Sequence, residues 1–202
     1  MSYKITVKPS GHEFWAEAGE TVLVIGQGPI GIILAVLALR TGAAVITSDL
    51  LPERHTIAKG FGLRNFIDAS HSDTVQVVRQ QTQGRGADAV ILAVPGNHLI
   101  RTALDATRPG GRVLLFAQTV RTEATIDPAV ICVDEKSLLG SYSASVDLQE
   151  EAVSFVFRPE MDLERLITHR FPLSKAVEAL NLAAHPQPDT MKLVIQPGVP
   201  GA

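Results

Sequence analysis

Three glycines and one aspartate have the types and the spacing that a dinucleotide site requires. Gly26, Gly28 and Gly31 form the pattern G-x-G-x-x-G directly after the apolar run TVLVI, and Asp49 follows Gly31 by 18 residues, at the end of a second apolar run. Backbone N–H groups at the start of a helix attract a phosphate, and a carboxylate about 20 residues further on accepts a hydrogen bond from a ribose hydroxyl. These four residues therefore predict a site for a dinucleotide.

Each residue of this motif has its own expected role. Gly26 permits the tight turn out of the strand, Gly28 lets the backbone approach a pyrophosphate, and Gly31 lets the helix pack close to the sheet. A carboxylate at Asp49 would repel the 2′-phosphate of NADP, so NAD is favoured. The alternative is a tight turn in an ordinary α/β sheet, because a chain with 16 glycines produces coincidental spacings.

The elements that must position this motif alternate along the chain. Strands are predicted at 21–25, 43–49, 65–68, 87–94, 112–117 and 136–142, and helices at 29–39, 52–59, 72–83, 97–107 and 147–157. Ser72 and Asn97 are expected to cap their helices, and Pro109-Gly110-Gly111 is expected to end the second of these. The alternation predicts an α/β Rossmann fold with a doubly wound, six-stranded parallel sheet.

Two smaller segments flank this predicted sheet. Residues 1–18 read as a hairpin and 161–202 as an extension of strand, helix and strand, which leaves 19–160 as the nucleotide-binding domain. We expect the hairpin to pack near the C-terminal strands and to bury Trp15. A natural or engineered junction is inferred near Gly19-Glu20.

The composition excludes several classes of partner. A net charge of −3 offers no general attraction to nucleic acid or to an anionic membrane. The single cysteine, Cys132, excludes an intrachain disulfide and fits a reducing cytoplasm. The first residues lack the pattern of a signal peptide, and the apolar run 29–39 is too short to span a bilayer.

A series of segments in one order resembles the zinc-type medium-chain dehydrogenases. The segments are GETVLVIGQGPIGIILAVLALRTGA, VITSDLLPERHTIAKGFG, GADAVILAVPG, LDATRPGGRVLLFAQ, LLGSYSAS, LITHRFPLSKAVEAL and MKLVIQP, and they run from Gly19 to about Pro197. The nearest branch resembles the sorbitol, threonine and related alcohol or polyol dehydrogenases. The resemblance implies an NAD-linked domain for hydride transfer, in family members that form homodimers or tetramers.

The resemblance also implies further cofactor contacts. Arg54 would lie over the adenosine ribose or phosphate, or else be a solvated helix residue. The residues after two later strands would line the adenosine side and the nicotinamide side of the crevice. The complete predicted set is Gly26, Gly28, Pro29, Ile30, Gly31, Asp49, Arg54, Ala93, Val94, Pro95, Phe116, Ala117 and Gln118. We expect strand 136–142 to pair with its copy in a homodimer.

The family's catalytic zinc has no predicted ligand set in this chain. Gly11-His12-Glu13 matches a fragment of the family's zinc region, but no partnering cysteine stands upstream, and a polar hairpin turn is the favoured interpretation. The sequence therefore predicts neither a catalytic residue nor a metal ligand. It favours the NAD-binding domain of a dehydrogenase whose catalytic domain would be separate, and the isolated chain is expected to be inactive. The alternative is a non-catalytic NAD-binding or assembly module.

Overall fold

The central sheet has six parallel strands in the order β3-β2-β1-β4-β5-β6, as predicted. A computed structural model describes residues 14–117, 121, 123–141, 146–158 and 161–198. The strands are β1 Thr21–Ile25, β2 Ala44–Asp49, β3 Phe66–Asp68, β4 Ala87–Leu92, β5 Thr107–Leu115, β6 Ser137–Gly140, β7 Ile167–Pro172 and β8 Lys192–Gln196. The helices are α1 Pro29–Arg40, α2 Glu53–Lys59, α3 Thr74–Gln81, α4 His98–Ala106, α5 Ala129–Cys132, α6 Gln149–Val156 and α7 Ala176–Ala184.

The two middle strands are the most deeply buried part of the sheet. All six residues of β4 are buried, and so are the last four residues of β1. Apolar side chains fill both faces of these strands, since Val22 and Val24 belong to one hydrophobic cluster and Leu23 and Ile25 to the other. Burial on both faces explains why these strands are continuous apolar runs without alternation.

The start of α3 differs by one residue from the prediction. Asp73, not Ser72, is the N-cap, and its carboxylate accepts a hydrogen bond of 3.0 Å from the backbone N–H of Gln76. Both residue types cap helices well, so the sequence pattern alone did not separate the two positions.

The prediction that Pro109-Gly110-Gly111 ends a helix is wrong, because this segment lies inside β5. That strand begins at Thr107, directly after α4, and its register with β4 shifts between Ala87 and Ala89. Gly110 has φ +67, and its N–H donates to the carbonyl of Asp134 at 2.7 Å. The glycines therefore serve an irregularity at the strand's beginning, which is the other common use of glycine in a strand.

Asp88 joins three neighbouring strands at the edge opposite to the glycine turn. Its carboxylate accepts from the N–H of Thr21 at 2.8 Å, from Arg85 at 2.8 and 2.7 Å, and from Nε of Arg108 at 2.6 Å. Burial alone would raise the pKa of Asp88, but these donors outweigh it and lower the pKa to about 2. The ionised carboxylate thus ties the beginnings of β1, β4 and β5 together.

The segment before β1 contributes an aromatic side chain to a hydrophobic cluster that also includes residues of the C-terminal extension, but this side chain is not the predicted Trp15. Phe14 is buried in the same cluster as Leu166 and Met191, whereas Trp15 is 40% exposed. The Arg112 guanidinium contacts both aromatic rings, at 4.8 Å from the centroid of Trp15 and 5.8 Å from that of Phe14. Residues 1–13 lie outside the described part of the chain, so the hairpin itself stays a prediction.

Arg112 holds this segment against the sheet. It lies near the middle of β5 and is 6% exposed. Its Nε and Nη2 donate to the carbonyl of Trp15 at 2.8 and 2.6 Å, and its guanidinium also pairs with the carboxylate of Glu20. The chain immediately before β1 is therefore part of the folded unit.

Candidate functional site

The strand order places a crevice where the predicted nucleotide motif lies. The chain runs outward from β1 to β2 and β3 on one side, and from β4 to β5 and β6 on the other. The carboxyl ends of β1 and β4 are neighbours, with Ile25 paired to Leu92. In an open parallel sheet, ligands bind outside the carboxyl ends of the strands at such a reversal of strand order.

Two of the three motif glycines are required by the protein itself. Gly26 has φ +98, and a Cβ there would lie 2.8 Å from the Cβ of Val94. A Cβ at Gly31 would lie 1.9 Å from the carbonyl oxygen of Gly26. These contacts match the roles expected for the two residues, the tight turn and the close approach of helix to strand.

Gly28 differs from both because nothing in the protein restricts it. A Cβ at Gly28 would meet no atom within 4 Å, and the residue has φ −68 and ψ 178, which any amino acid adopts readily. Because glycine leaves this space empty, a ligand can come close to the backbone there. The middle glycine therefore fits a bound pyrophosphate, and the fold itself does not demand it.

The helix after the turn is suited to an anion. Gly28 is the N-cap of α1 and Pro29 its first residue, and no acidic residue lies in the first turn. The first N–H groups of a helix have no intrahelical acceptor, and the helix dipole adds partial positive charge there. Ile30 is 52% exposed beside these groups. The start of α1 thus offers free donors in an exposed position at the crevice.

Asp49 ends β2 next to this turn and is almost fully engaged by the protein. Its Oδ2 accepts from the N–H of Gln27 at 2.6 Å and from Arg54 Nη1 at 3.2 Å, and its Oδ1 accepts from the N–H of Leu51 at 3.0 Å. The side chain is 7% exposed. The carboxylate therefore joins the glycine turn to the start of α2, and it retains lone-pair capacity mainly on Oδ1.

Arg54 modifies the electrostatic argument for Asp49. The two side chains form an ion pair, and that of Arg54 is 22% exposed. A paired carboxylate repels a 2′-phosphate less than an isolated one does, since the guanidinium cancels part of its charge. The contact shows that Arg54 is not simply a solvated helix residue.

Several buried polar atoms near this edge lack a hydrogen-bond partner among the described residues. They include Nε2 and Oε1 of Gln27, Nε of Arg54 and Nδ1 of His55. The His55 ring stacks on Phe66 at 4.4 Å, and burial, followed by the charge of Lys59, lowers the pKa of His55. Buried polar groups are normally paired, so unpaired ones beside a crevice fit a site that a polar ligand completes.

The remaining predicted residues follow β4 and β5 at the same edge. The N–H of Ala93 donates to the carbonyl of Ile25 at 2.8 Å, and those of Phe116 and Ala117 donate to the carbonyl of Leu92 at 3.1 and 3.0 Å. Val94 and Pro95 continue from Ala93 along the rim. Gln118 lies outside the described residues.

The sequence analysis assigned no role to Gln27 or Leu51, whose backbone N–H groups both donate to Asp49. Both lie within or beside the motif, but a glycine pattern assigns no role to the residues between the glycines. Their N–H groups fix Asp49. The predicted βαβ unit could have indicated these contacts, because such a unit places the glycine turn after β1 beside the end of β2.

The described residues contain no group of three or more His, Cys, Asp or Glu side chains that could hold a metal ion. Among these same ranges, no helix combines the length and the apolar character needed to cross a bilayer.

The order of the strands, the glycine turn and the acidic residue after β2 together define a Rossmann domain of the dinucleotide-binding type. Residues 29–158 match the family model described as zinc-binding dehydrogenase. The chain belongs to the zinc-binding dehydrogenase family, which confirms the predicted resemblance.

Relatives with known names support the same assignment. The chain is 28% identical to (R,R)-butanediol dehydrogenase from Neisseria gonorrhoeae over 91% of its own length and 52% of that protein. It is 28% identical to NADP-dependent isopropanol dehydrogenase from Entamoeba histolytica, over 88% of this chain and 50% of the relative. The chain spans about half the length of the curated relatives it matches.

The fold also matches solved structures. One is an alcohol dehydrogenase from E. coli CFT073 complexed with NADH, with a TM-score of 0.77 and 24% identity, over 88% of this chain and 52% of the other. At that identity the likeness concerns the fold, and it confirms the predicted α/β class. As with the curated relatives, the chain covers about half of that structure.

Proposed function

We propose that this chain is the NAD(H)-binding domain of a zinc-type dehydrogenase that oxidises secondary alcohols or polyols. The observation that carries the proposal is Gly28, where the space for a side chain is empty although the fold does not require a glycine. Around it, the start of α1 would hold the pyrophosphate and Asp49 the adenosine ribose. NAD, when bound, supplies the hydride acceptor.

The predicted contacts divide the cofactor between the two sides of the crevice. Asp49 and Arg54 would bind the adenosine half, and Val94 would line its adenine side. Phe116 and Ala117 would lie beside the nicotinamide. The metal chemistry of the family has no ligand set among the described residues, so we assign it to a separate catalytic domain or subunit.

A preference for NAD over NADP rests on Asp49. Its remaining acceptor capacity suits a ribose hydroxyl, which donates a hydrogen bond, whereas a 2′-phosphate has no proton to give at neutral pH. Calorimetric titration with NADH and NADPH tests this directly, and NADH should bind more tightly. Asp49→Asn should narrow the difference between the two. Equal affinities of the unchanged chain would refute the preference, and no binding of either would refute the proposed function.

A non-catalytic NAD-binding or assembly module is the alternative, and the half-length match to relatives keeps it open. Turnover distinguishes the two. The chain alone, assayed on a panel of secondary alcohols with NAD, should be inactive under both proposals. Activity that appears when a zinc-bearing catalytic half is added would support the dehydrogenase, and binding without any such activation would support the module.

We further propose a cytoplasmic homodimer formed through β6. This strand ends the sheet order, and its outer edge has no strand partner in the described part of the chain. An open edge exposes unpaired backbone groups, and pairing with a second copy across a two-fold axis satisfies them. Light scattering should give twice the chain mass.

One substitution makes the dimer test sharper. Gly140 is exposed at the end of β6, and a Cβ there would meet no atom within 4 Å. Gly140→Asp should therefore fold normally but place two like charges at the shared edge, so that dissociation into monomers is expected. Gly198→Asp, which is equally open, is the control. A monomeric parent chain at high concentration would contradict the dimer.

A further inference from the structure

Gln27 is an exception to the way that polar side chains are normally buried. It lies between Gly26 and Gly28 of the glycine turn, residues 26–31, and is 0% exposed. Neither its Nε2 nor its Oε1 has a hydrogen-bond partner among the described residues. Its backbone N–H, by contrast, donates to Asp49 at 2.6 Å, so the main chain at this position is firmly held.

An unpaired amide in this position is expected to destabilise the nucleotide-free protein. A buried amide without partners loses its hydration and gains nothing in return, whereas an apolar side chain of the same length would fill the space without that loss. Methionine has nearly the same length and flexibility as glutamine. An unpaired glutamine in the middle of a ligand turn therefore needs an explanation outside the free fold.

The surroundings point to the ligand. Arg54 Nε and His55 Nδ1 are likewise buried without partners among the described residues, and both residues lie in the first turn of α2, the helix that follows β2 and Asp49. The start of α1, one residue after Gly28, is the part of this edge that favours an anion. The Nε2 group of Gln27 is a donor, and the oxygens of a pyrophosphate are acceptors in need of donors.

We propose that Gln27 is a pyrophosphate-binding residue whose amide is paired only in the nucleotide complex. The side chain has three rotatable bonds, and the proposal requires that rotation about them in the complex bring Nε2 to a pyrophosphate oxygen, either directly or through one ordered water. The inference rests on the proposed function, because it concerns the same nucleotide. It adds that the turn binds through a side chain as well as through its glycines.

The test compares the stability of the free chain with its affinity for nucleotide. In Gln27→Met, the unpaired amide is gone, so the melting temperature of the nucleotide-free chain should rise by on the order of 4 °C. Affinity for NADH should fall by about ten- to a hundredfold, the range for a hydrogen bond to a charged acceptor. A purely structural role would move both quantities in the same direction. Gln80→Met, at an exposed glutamine of α3, is the matched control and should change neither.

Ligand fragments locate the effect. ADP carries a pyrophosphate and should show the same loss of affinity as NADH in Gln27→Met, whereas adenosine carries none and should bind equally to both proteins. Unchanged NADH affinity would overturn the inference, and so would a loss confined to adenosine. A Gln27→Met chain that is destabilised, together with a destabilised Gln27→Leu chain, would show that the amide has partners in the free state, and this result would also overturn the inference. If the unchanged chain binds no NADH, the proposed function fails first.

Discussion

The three motif glycines should respond differently to the same added methyl group. Gly28→Ala places a Cβ in open space at backbone angles that alanine adopts. A gain of about 0.4 to 1 kcal/mol from the less flexible unfolded chain is offset by the poorer capping by alanine. The free energy of unfolding should therefore change by no more than about 0.5 kcal/mol. Gly31→Ala places its Cβ 1.9 Å from a backbone oxygen, and it should destabilise the chain by about 3 kcal/mol or more.

Gly28→Ala should weaken the binding of NADH strongly, although it changes the free energy of unfolding little. The methyl group occupies the space through which the pyrophosphate reaches the backbone, so at least one charge-assisted hydrogen bond is lost. Such a bond contributes about 1.5 to 3 kcal/mol, which corresponds to about a 10- to 150-fold weaker affinity for NADH. The prediction is thus a variant that folds as well as the parent and binds far more weakly.

The assay pairs urea unfolding without nucleotide with calorimetric titration of NADH. Gly198→Ala is the matched control because its Cβ is equally open and lies outside the site. It should leave both stability and affinity unchanged. The reasoning is refuted if Gly28→Ala unfolds as readily as Gly31→Ala, or if it binds NADH as tightly as the parent.

Two further predictions concern the opposite edge and the segment before β1. Because the folded pKa of Asp88 lies at about 2, below the unfolded value of 3.8, its ionised form contributes about 2 kcal/mol above pH 4, and this is lost as the pH falls towards 2. Asp88→Asn should remove that part of the pH dependence in urea unfolding at pH 5 and pH 2.5, and an unchanged slope would contradict it. Arg112→Met should lower the free energy of unfolding by about 3 kcal/mol, because it leaves the carboxylate of Glu20 and the carbonyl of Trp15 without their main donor. The double variant with Glu20→Gln should recover part of that loss, and strict additivity of the two changes would show that the pair is not coupled.

Local sequence patterns predict most of the strands and helices. A run such as β4, which is buried on both faces, reads as continuous apolar sequence, and the strands and helices of the sheet domain lie within about two residues of the predicted bounds, apart from the beginning of β5. The errors occurred where two local solutions have similar energies. Ser72 and Asp73 cap a helix about equally well, and Gly110-Gly111 suits a helix end as well as a strand irregularity.

Choices between neighbouring residues required the tertiary structure. Phe14 and Trp15 are both large and apolar, and either one could cover the C-terminal strands. Arg112, which is almost one hundred positions away along the chain, donates to the Trp15 carbonyl and contacts both rings, and in the folded chain Phe14 is the residue that turns inward. A contact over such a distance leaves no periodic signal in the sequence.

The sequence by itself determined the glycine turn, the acidic residue at the end of β2 and the parallel sheet, because these depend on local spacing and on the alternation of apolar runs. Only the tertiary structure decided that Asp49 is shared between Gln27, Leu51 and Arg54, and that the amide of Gln27 is buried unpaired. Burial and hydrogen-bond partners depend on which turns meet in space. That meeting is set by the packing of β1 beside β2 and β4, and the residues of any single turn do not encode it.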